Sequence, residues 1–323
     1  MRLLLLALLL LPACKKSSSD SFFLPPEPDI PFVDEGTWDT VAPVPESVQE
    51  IHAALLNDQI IIAGGFDDSD QATDVAYRYD ITSDTWELLA PLPEPRHHLP
   101  LARANGAIYA IGGLGADNRG KDNLWMYDDA MDQWVAKASL PRPRGASIAG
   151  TLDGEILVAG GLDQDRQLIS ECAIYDPILD EWGAAAPISV PRDHLAGAVH
   201  NGLFYIVGGR LVNPERNVGT FEAYDPALDQ WTALPELPTP RGGLGAAFLN
   251  GQLHVVGGET SVFVFEEHEV YDLATGEWAA YPDLPTPRHG LAAITASGVF
   301  YTIAGGPAAG LAQTGVVEVF TLE

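Results

Sequence analysis

Five arginines occupy one phase of the chain. Arg96, Arg144, Arg192 and Arg241 each stand 16 residues before a Gly-Gly pair, Arg288 stands 17 before, and each follows a proline. They are drawn from only 17 cationic residues in a chain of formal net charge −28. A planar guanidinium binds carboxylates through two parallel hydrogen bonds, so such a set reads either as an anion-binding surface or as repeated staples onto loop carbonyls. His97, His98, His194 and His289 fall in the same short segments, and their protonation toward pH 6 would tighten anion binding. Arg210 and Glu259 each directly follow a Gly-Gly pair. They read as a salt bridge, or as a carboxylate clamp beside an acid/base group. Glu259, Arg210 and His194 are the only candidate catalytic residues.

Several chemistries are excluded. Each Gly-Gly is followed by a loop and not by Gly-Lys-Ser/Thr, so there is no phosphate-binding loop. Neither His-Glu-x-x-His nor Gly-x-Ser-x-Gly occurs. Asp67, Asp68, Asp70 and Asp74 lack the glycine and the following glutamate of a calcium loop and read as a solvated segment. Cys172, alone on an apolar stretch, reads as a packing thiol. No metal and no cofactor are expected. The 45 acidic residues repel phosphate backbones, which excludes nucleic acid. A hydrophobic fraction of 46% supplies a sizeable core.

The N-terminus addresses the chain elsewhere. Leu3 to Leu11 is a nine-residue apolar run, spanning about 14 Å as a helix, well short of a bilayer core of about 30 Å. It reads as the apolar part of a secretory signal. Leu11-Pro12-Ala13-Cys14 resembles a bacterial lipobox, with Pro12 a departure from the usual pattern. The resemblance implies acylation of Cys14 and removal of residues 1–13. Residues 14–36, polar and then proline-rich, read as a tether. Lys15 is not the Asp that resembles an inner-membrane retention signal, so the expected location is the cell envelope, lipid-anchored and outer membrane before inner. The folded part would face the periplasm or the exterior.

The elements that position the arginines repeat. Gly-Gly pairs stand at 64–65, 112–113, 160–161, 208–209, 257–258 and 305–306, each ending an apolar run. Tyr79/Trp86, Tyr127/Trp134, Tyr175/Trp182, Tyr224/Trp231 and Tyr271/Trp278 follow as Tyr-x6-Trp. A period near 48 with these markers resembles kelch repeats from residue 37 to the end. The resemblance implies an all-β, six-bladed kelch-type β-propeller over 37–323. Trp38 lies 48 before Trp86, whereas no Trp follows the last Gly-Gly. An N-terminal strand near 37–41, with Trp38 packed near Phe320, therefore closes the ring on the last blade.

In kelch propellers the segment carrying each arginine leads to the innermost strand, on the channel face. The resemblance thus implies a ligand surface of Arg96, His98, Arg144, Arg192, His194, Arg241, Arg288, Arg210 and Glu259. The residues after Gly-Gly (Phe66, Leu114, Leu162, Arg210, Glu259 and Pro307) vary where the scaffold does not. Some kelch proteins are copper oxidases, but their Tyr–Cys crosslink has no counterpart in Cys172. The expected function is a monomeric, membrane-anchored binding module for a glycan, an anionic small ligand or a protein. The alternatives are a sugar-modifying enzyme resembling sialate mutarotases, or a purely structural envelope lipoprotein.

Overall fold

A computed structural model describes residues 28–322 of the 323. The signal segment, Cys14 and the first half of the tether lie outside the described residues. Among those described there is no helix, and six four-stranded antiparallel sheets make the six blades of a propeller.

Each blade is a meander of short strands. Blade one runs Ala53–Leu56, Gln59–Ala63, Ala76–Asp80 and Thr85–Leu88, from the axis outward. Blade two begins at Leu101–Ala104, blade three at Ile148–Leu152, blade four at Ala196–His200 and blade five at Gly245–Leu249. The second strands, such as Gln59–Ala63 and Leu203–Val207, are apolar and buried after their first residue, because both of their faces lie against neighbouring blades. One hydrophobic layer fills each of the six gaps between blades, including the gap between blade six and blade one.

Blade six is assembled from both ends of the described chain. Ala292–Ala296, Val299–Ile303 and Val317–Thr321 supply three strands, and Thr37–Val41 supplies the outermost. Trp38 pairs with Phe320 in register, their rings 5.1 Å apart. The closure expected near 37–41 is the one observed, and it leaves no open sheet edge between first and last blade. The tether does not end where expected: Val33 N–H donates to Ala280 O and Ala280 N–H to Pro31 O, laying residues 31–33 along the outer strand of blade five.

The repeated aromatics have a repeated job. Trp86, Trp134, Trp182 and Trp231 donate their indole N–H to the carbonyls of Ala42, Ala90, Ala138 and Ala186, one repeat earlier. Asp84, Asp132, Asp180 and Asp229 each accept the hydroxyl of their blade's Tyr and a backbone N–H from the preceding connection. These residues tie blade to blade at the rim.

The Gly-Gly pairs tie blades together near the axis. A Cβ on Gly64 would lie 2.4 Å from Arg96 O, and Gly65 N–H donates to that same carbonyl at 2.8 Å. The sixth pair departs from the sequence reading. The second strand of blade six ends at Ile303, so Ala304 (φ 54°) and Gly305 occupy the paired positions, and Gly306 takes the place assigned to Pro307. Arg288 is thus 16 residues before its structural pair, as in the other blades.

Candidate functional site

The five repeated arginines are inside the wall. Arg96 and Arg144 are at most 3% exposed, and Arg192, Arg241 and Arg288 are at 0%. Each guanidinium turns back from the channel-face segment into its own blade. Arg192 Nε donates to Gly208 O, Arg241 Nε to Gly257 O, Arg288 Nη1 to Ala304 O and Arg144 Nη1 to Glu171 O, at 2.8–2.9 Å. In blades four to six a buried carboxylate completes the site. Glu222 lies 2.8 Å from Arg192, Glu318 lies 2.7 Å from Arg288, and Glu269 pairs with Arg241. Arg96 instead pairs with Glu94 and Asn123 and stacks over Trp125. Arg144 finds no carboxylate, and burial pulls it down to about 10. The expectation of an arginine ring facing a ligand is therefore corrected for Arg96, Arg144, Arg192, Arg241 and Arg288. The guanidinium groups of Arg144, Arg192, Arg241 and Arg288 satisfy carbonyls just past the ends of strands, Arg96 binds Glu94, Asn123 and Pro95 O, and all five are buried away from the channel.

What faces the axis is the residue two places after each arginine position. Glu50, His98, Ala146, His194, Gly243 and Gly290 all have left-handed φ, between 52° and 71°. Each donates its backbone N–H to the carbonyl of its equivalent in the preceding blade, at 2.6–3.1 Å, so six hydrogen bonds close a ring around the channel. The residue between, one place after the arginine position, pairs with the residue after the glycine pair: Gln49 with Phe66, Asp193 with Arg210, Gly242 with Glu259. Two rings of positions thus open onto one mouth.

Seven side chains in these rings form one network. Arg210, on a short hairpin (Arg210–Leu211 and Asn213–Asn217) inserted in blade four, donates to Glu259 Oε1 and to His194 Nε2, both at 2.7 Å. His194 Nδ1 donates to the buried carboxylate of Asp193, which also accepts Val212 N–H at 2.9 Å. His98 Nε2 lies 2.8 Å from His194 Nε2 and 3.0 Å from Glu50 Oε2. Glu50 Oε1 lies 3.3 Å from His289 Nδ1. Beyond the network lies a basin of about 860 Å³, counting space open to solvent, which Phe66, Gln71, Asn118 and Leu311 also line.

Charge is shared unevenly across the network. Burial works against the Glu50 anion, yet His98 and His289 hold its carboxyl well below the ordinary range. Burial also opposes the charged form of His289, but contact with Glu50 and then Glu259 raises it above the ordinary histidine value. Burial, reinforced by Arg210, lowers His194, and burial with the nearby His98 takes His97 down to about 3. His97 is therefore neutral at pH 6, and His194 takes up a proton less readily than a free histidine, which works against the expected tightening of anion binding there.

Of the residues singled out from sequence, His98, His194, Arg210 and Glu259 come together, and the Arg210–Glu259 pair between blades four and five is formed. Glu50 and Asp193 were missed. Aligning the residues one and two places after the arginine phase would have exposed both, since those positions change type from blade to blade while the arginine does not. Cys172 is buried in the third strand of blade three, its thiol pushed up to about 12 by burial, as suits a packing residue. Asp67 caps its own loop through the N–H groups of Ser69 and Gln71.

Comparison with known proteins agrees with the architecture. No curated protein matches the sequence. The solved structure of YjhT superposes with a TM-score of 0.76 at 16% identity, over 88% of this chain and 97% of that one, a similarity that speaks to fold alone. Residues 60–313 match the family model described as Attractin/LZTR1 beta-propeller. Six blades of four strands, a glycine pair ending each second strand and this match together make the chain a member of the Attractin/LZTR1 beta-propeller family, a kelch-like propeller.

Proposed function

We propose that this propeller is an envelope-anchored binding module that takes a polar, hydroxyl-rich ligand, a glycan, at the mouth of its channel. One observation carries this reading. The axial ring needs left-handed backbone, which Gly243 and Gly290 adopt without penalty, yet Glu50, His98 and His194 hold it too. A left-handed non-glycine residue costs on the order of 1–3 kcal/mol, and burying ionisable side chains adds to that cost. Such side chains earn retention through function rather than folding. With the repeated arginines buried, the mouth offers mixed charge: Glu50 and Glu259 against Arg210 and His289. That favours hydroxyl groups, which both donate and accept, over a carboxylate. Phe66 supplies an apolar ring face at the basin, as sugar sites commonly do.

The anchor rests on the lipobox-like Leu11-Pro12-Ala13-Cys14, and two or three acyl chains would hold the propeller at a membrane stably. Palmitate labelling and detergent partition should both be lost in Cys14→Ala. A soluble, unlabelled wild type would remove the anchor from the proposal. Binding is tested on a glycan array, with Arg210→Ala and Glu259→Gln expected to abolish any hit. An array without hits, or hits that survive both variants, would reject the mouth as the ligand site.

A second reading has one observation in its favour. Arg210 bridges Glu259 and His194 at 2.7 Å each, an acid/base group and a clamp within one contact. This is the arrangement a sugar-modifying enzyme resembling sialate mutarotases would use. Anomer exchange of sialic acid followed by NMR, unaccelerated by the protein, would remove this reading.

A further inference from the structure

The partners around the mouth decide where the imidazole protons sit. His97 Nε2 lies 3.1 Å from the carbonyl of Gly115, which only accepts. The His97 proton is therefore on Nε2, and its Nδ1 is a lone pair. His98 Nδ1 faces that lone pair and donates to it. His194 Nδ1 donates to Asp193. In the neutral rings both Nε2 atoms then present lone pairs to each other across 2.8 Å. Glu50 Oε2, a third acceptor, stands 3.0 Å from His98 Nε2. Three acceptors converge, held together by Arg210 Nη2, at 2.7 Å from His194 Nε2, and by a proton between His98 Nε2 and Glu50 Oε2, both of which a metal ion would displace.

We propose that this convergence is a site for a divalent transition-metal ion, with His98 Nε2, His194 Nε2 and Glu50 Oε2 as its ligands. The three ligand atoms lie within 4.8 Å of one another. Around a tetrahedral zinc with bonds of roughly 2.0–2.1 Å, ligand atoms sit about 3.3 Å apart, so the two short contacts at His98 open by a few tenths of an ångström while His194 and Glu50, within 4.8 Å of each other, draw together. Two imidazoles and one carboxylate select zinc, cobalt, nickel or copper over magnesium and calcium. Asp193 behind His194 and His97 behind His98 are the outer partners that hold each ring in the ligating tautomer. Arg210 has to release His194, and it remains held by Glu259 at 2.7 Å and Asp193 at 3.3 Å. The fourth coordination position then opens toward the basin. A second group, Glu50, Glu259 and His289, also lies close enough. It offers one nitrogen, so it is the weaker donor set for these ions. The sequence pointed to no metal because the Asp67–Asp74 loop, the His-Glu-x-x-His motif and the copper-oxidase crosslink were the patterns weighed, and none of them contains these three residues. The inference is independent of the glycan: either can fail while the other stands.

The test uses the full-length protein, purified without a histidine tag and stripped with EDTA. Titration with cobalt(II) should give one equivalent bound, with visible absorption of a tetrahedral site and no sulfur-to-metal band from Cys14 or Cys172. Zinc(II) should displace the cobalt. Asp193→Asn should weaken zinc binding about 10–100-fold, and His98→Ala combined with His194→Ala should abolish it. Should that double variant fail to fold, 15N imidazole resonances of the wild type decide the question. Zinc must then shift His98 and His194 and leave the buried pair His254 and His268 in place. No stoichiometric uptake by folded wild type, uptake that survives in a folded double variant, or shifts confined to other histidines would overturn the site.

Discussion

The wall and the mouth of this propeller are built from adjacent residues and obey different rules. Arg192 and His194 are two positions apart. The first is repeated in five blades, fully buried and bound to strand-ending carbonyls; the second has an ionisable counterpart in only some blades and faces the axis. The wall tolerates a buried guanidinium because carbonyls and, in blades four to six, glutamates surround it. The mouth gathers groups whose charges are only partly balanced and leaves them beside an open basin. Repetition therefore marks what the fold needs, and its interruption marks what the fold does not.

The largest expected effect probes both regions at once. Burial takes His52 down to about 4 and His97 and His254 down to about 3. These bases stay neutral in the folded chain, while the unfolded chain binds protons below about 6.5. Each therefore removes about 1.4 kcal/mol of stability per pH unit as pH falls from 6.5 toward those lower values. Glu50, held low, adds stability above the ordinary carboxylate range that is lost as pH falls through its folded value. His289, held high, works in the opposite sense: its contribution is complete below 6.5 and lost as pH rises through its folded value. Three depressed histidines outweigh it, so the melting temperature should drop steadily between pH 7 and pH 5. A flat or rising profile would contradict these assignments. His254→Phe should remove the share of His254 and leave those of His52, His97 and the neighbouring buried His268.

Next in size, Arg241→Ala leaves Glu269 buried without its partner and should cost about 3–5 kcal/mol in denaturant unfolding. Arg144→Ala leaves unpaired carbonyls but no carboxylate, so about 1–3 kcal/mol is expected. Equal losses at the two sites would dissolve the distinction between the halves of the wall. The smallest effect is at the mouth. Ala146 holds the left-handed ring position with no side-chain partner (φ 53°). Ala146→Gly should relieve about 1–2 kcal/mol of strain and give back about 0.4–1 kcal/mol in unfolded-chain entropy. A slight rise in melting temperature is the result; a fall would mean that the ring position is not strained.

The fold was legible because its determinants recur. Gly-Gly and Tyr-x6-Trp have the same physical task in blade after blade, Trp38 with Phe320 standing in for the latter in blade six, and recurrence turns a weak signal into a strong one. The site was legible only where a residue broke a pattern already noticed, as Arg210 and Glu259 do after their glycine pairs. Glu50 escaped because its repeat carries Val48 where the others carry arginine, so attention left that segment. The five arginines misled for the converse reason: the segment does reach the channel face, but the long side chain folds back, and direction cannot be read from spacing. At blade six the Gly-Gly at 305–306 was one residue out of phase, because Ala304 accepts a conformation usually left to glycine.

The closed ring of six backbone hydrogen bonds has a consequence for descent and redesign. Because it is made of peptide groups, it asks nothing of the side chains at positions 50, 98, 146, 194 and 243 beyond tolerance of a left-handed φ, whereas at Gly290 a Cβ would lie 2.9 Å from the Glu50 backbone nitrogen. Histidine, glutamate, alanine and glycine already share these six seats. A lineage can therefore reassign all but Gly290 one at a time, each change altering what the mouth recognises while the barrel behind it goes on folding. The five seats other than Gly290, with asparagine and aspartate added to the choices, form a small combinatorial library that a selection experiment could search for new ligands.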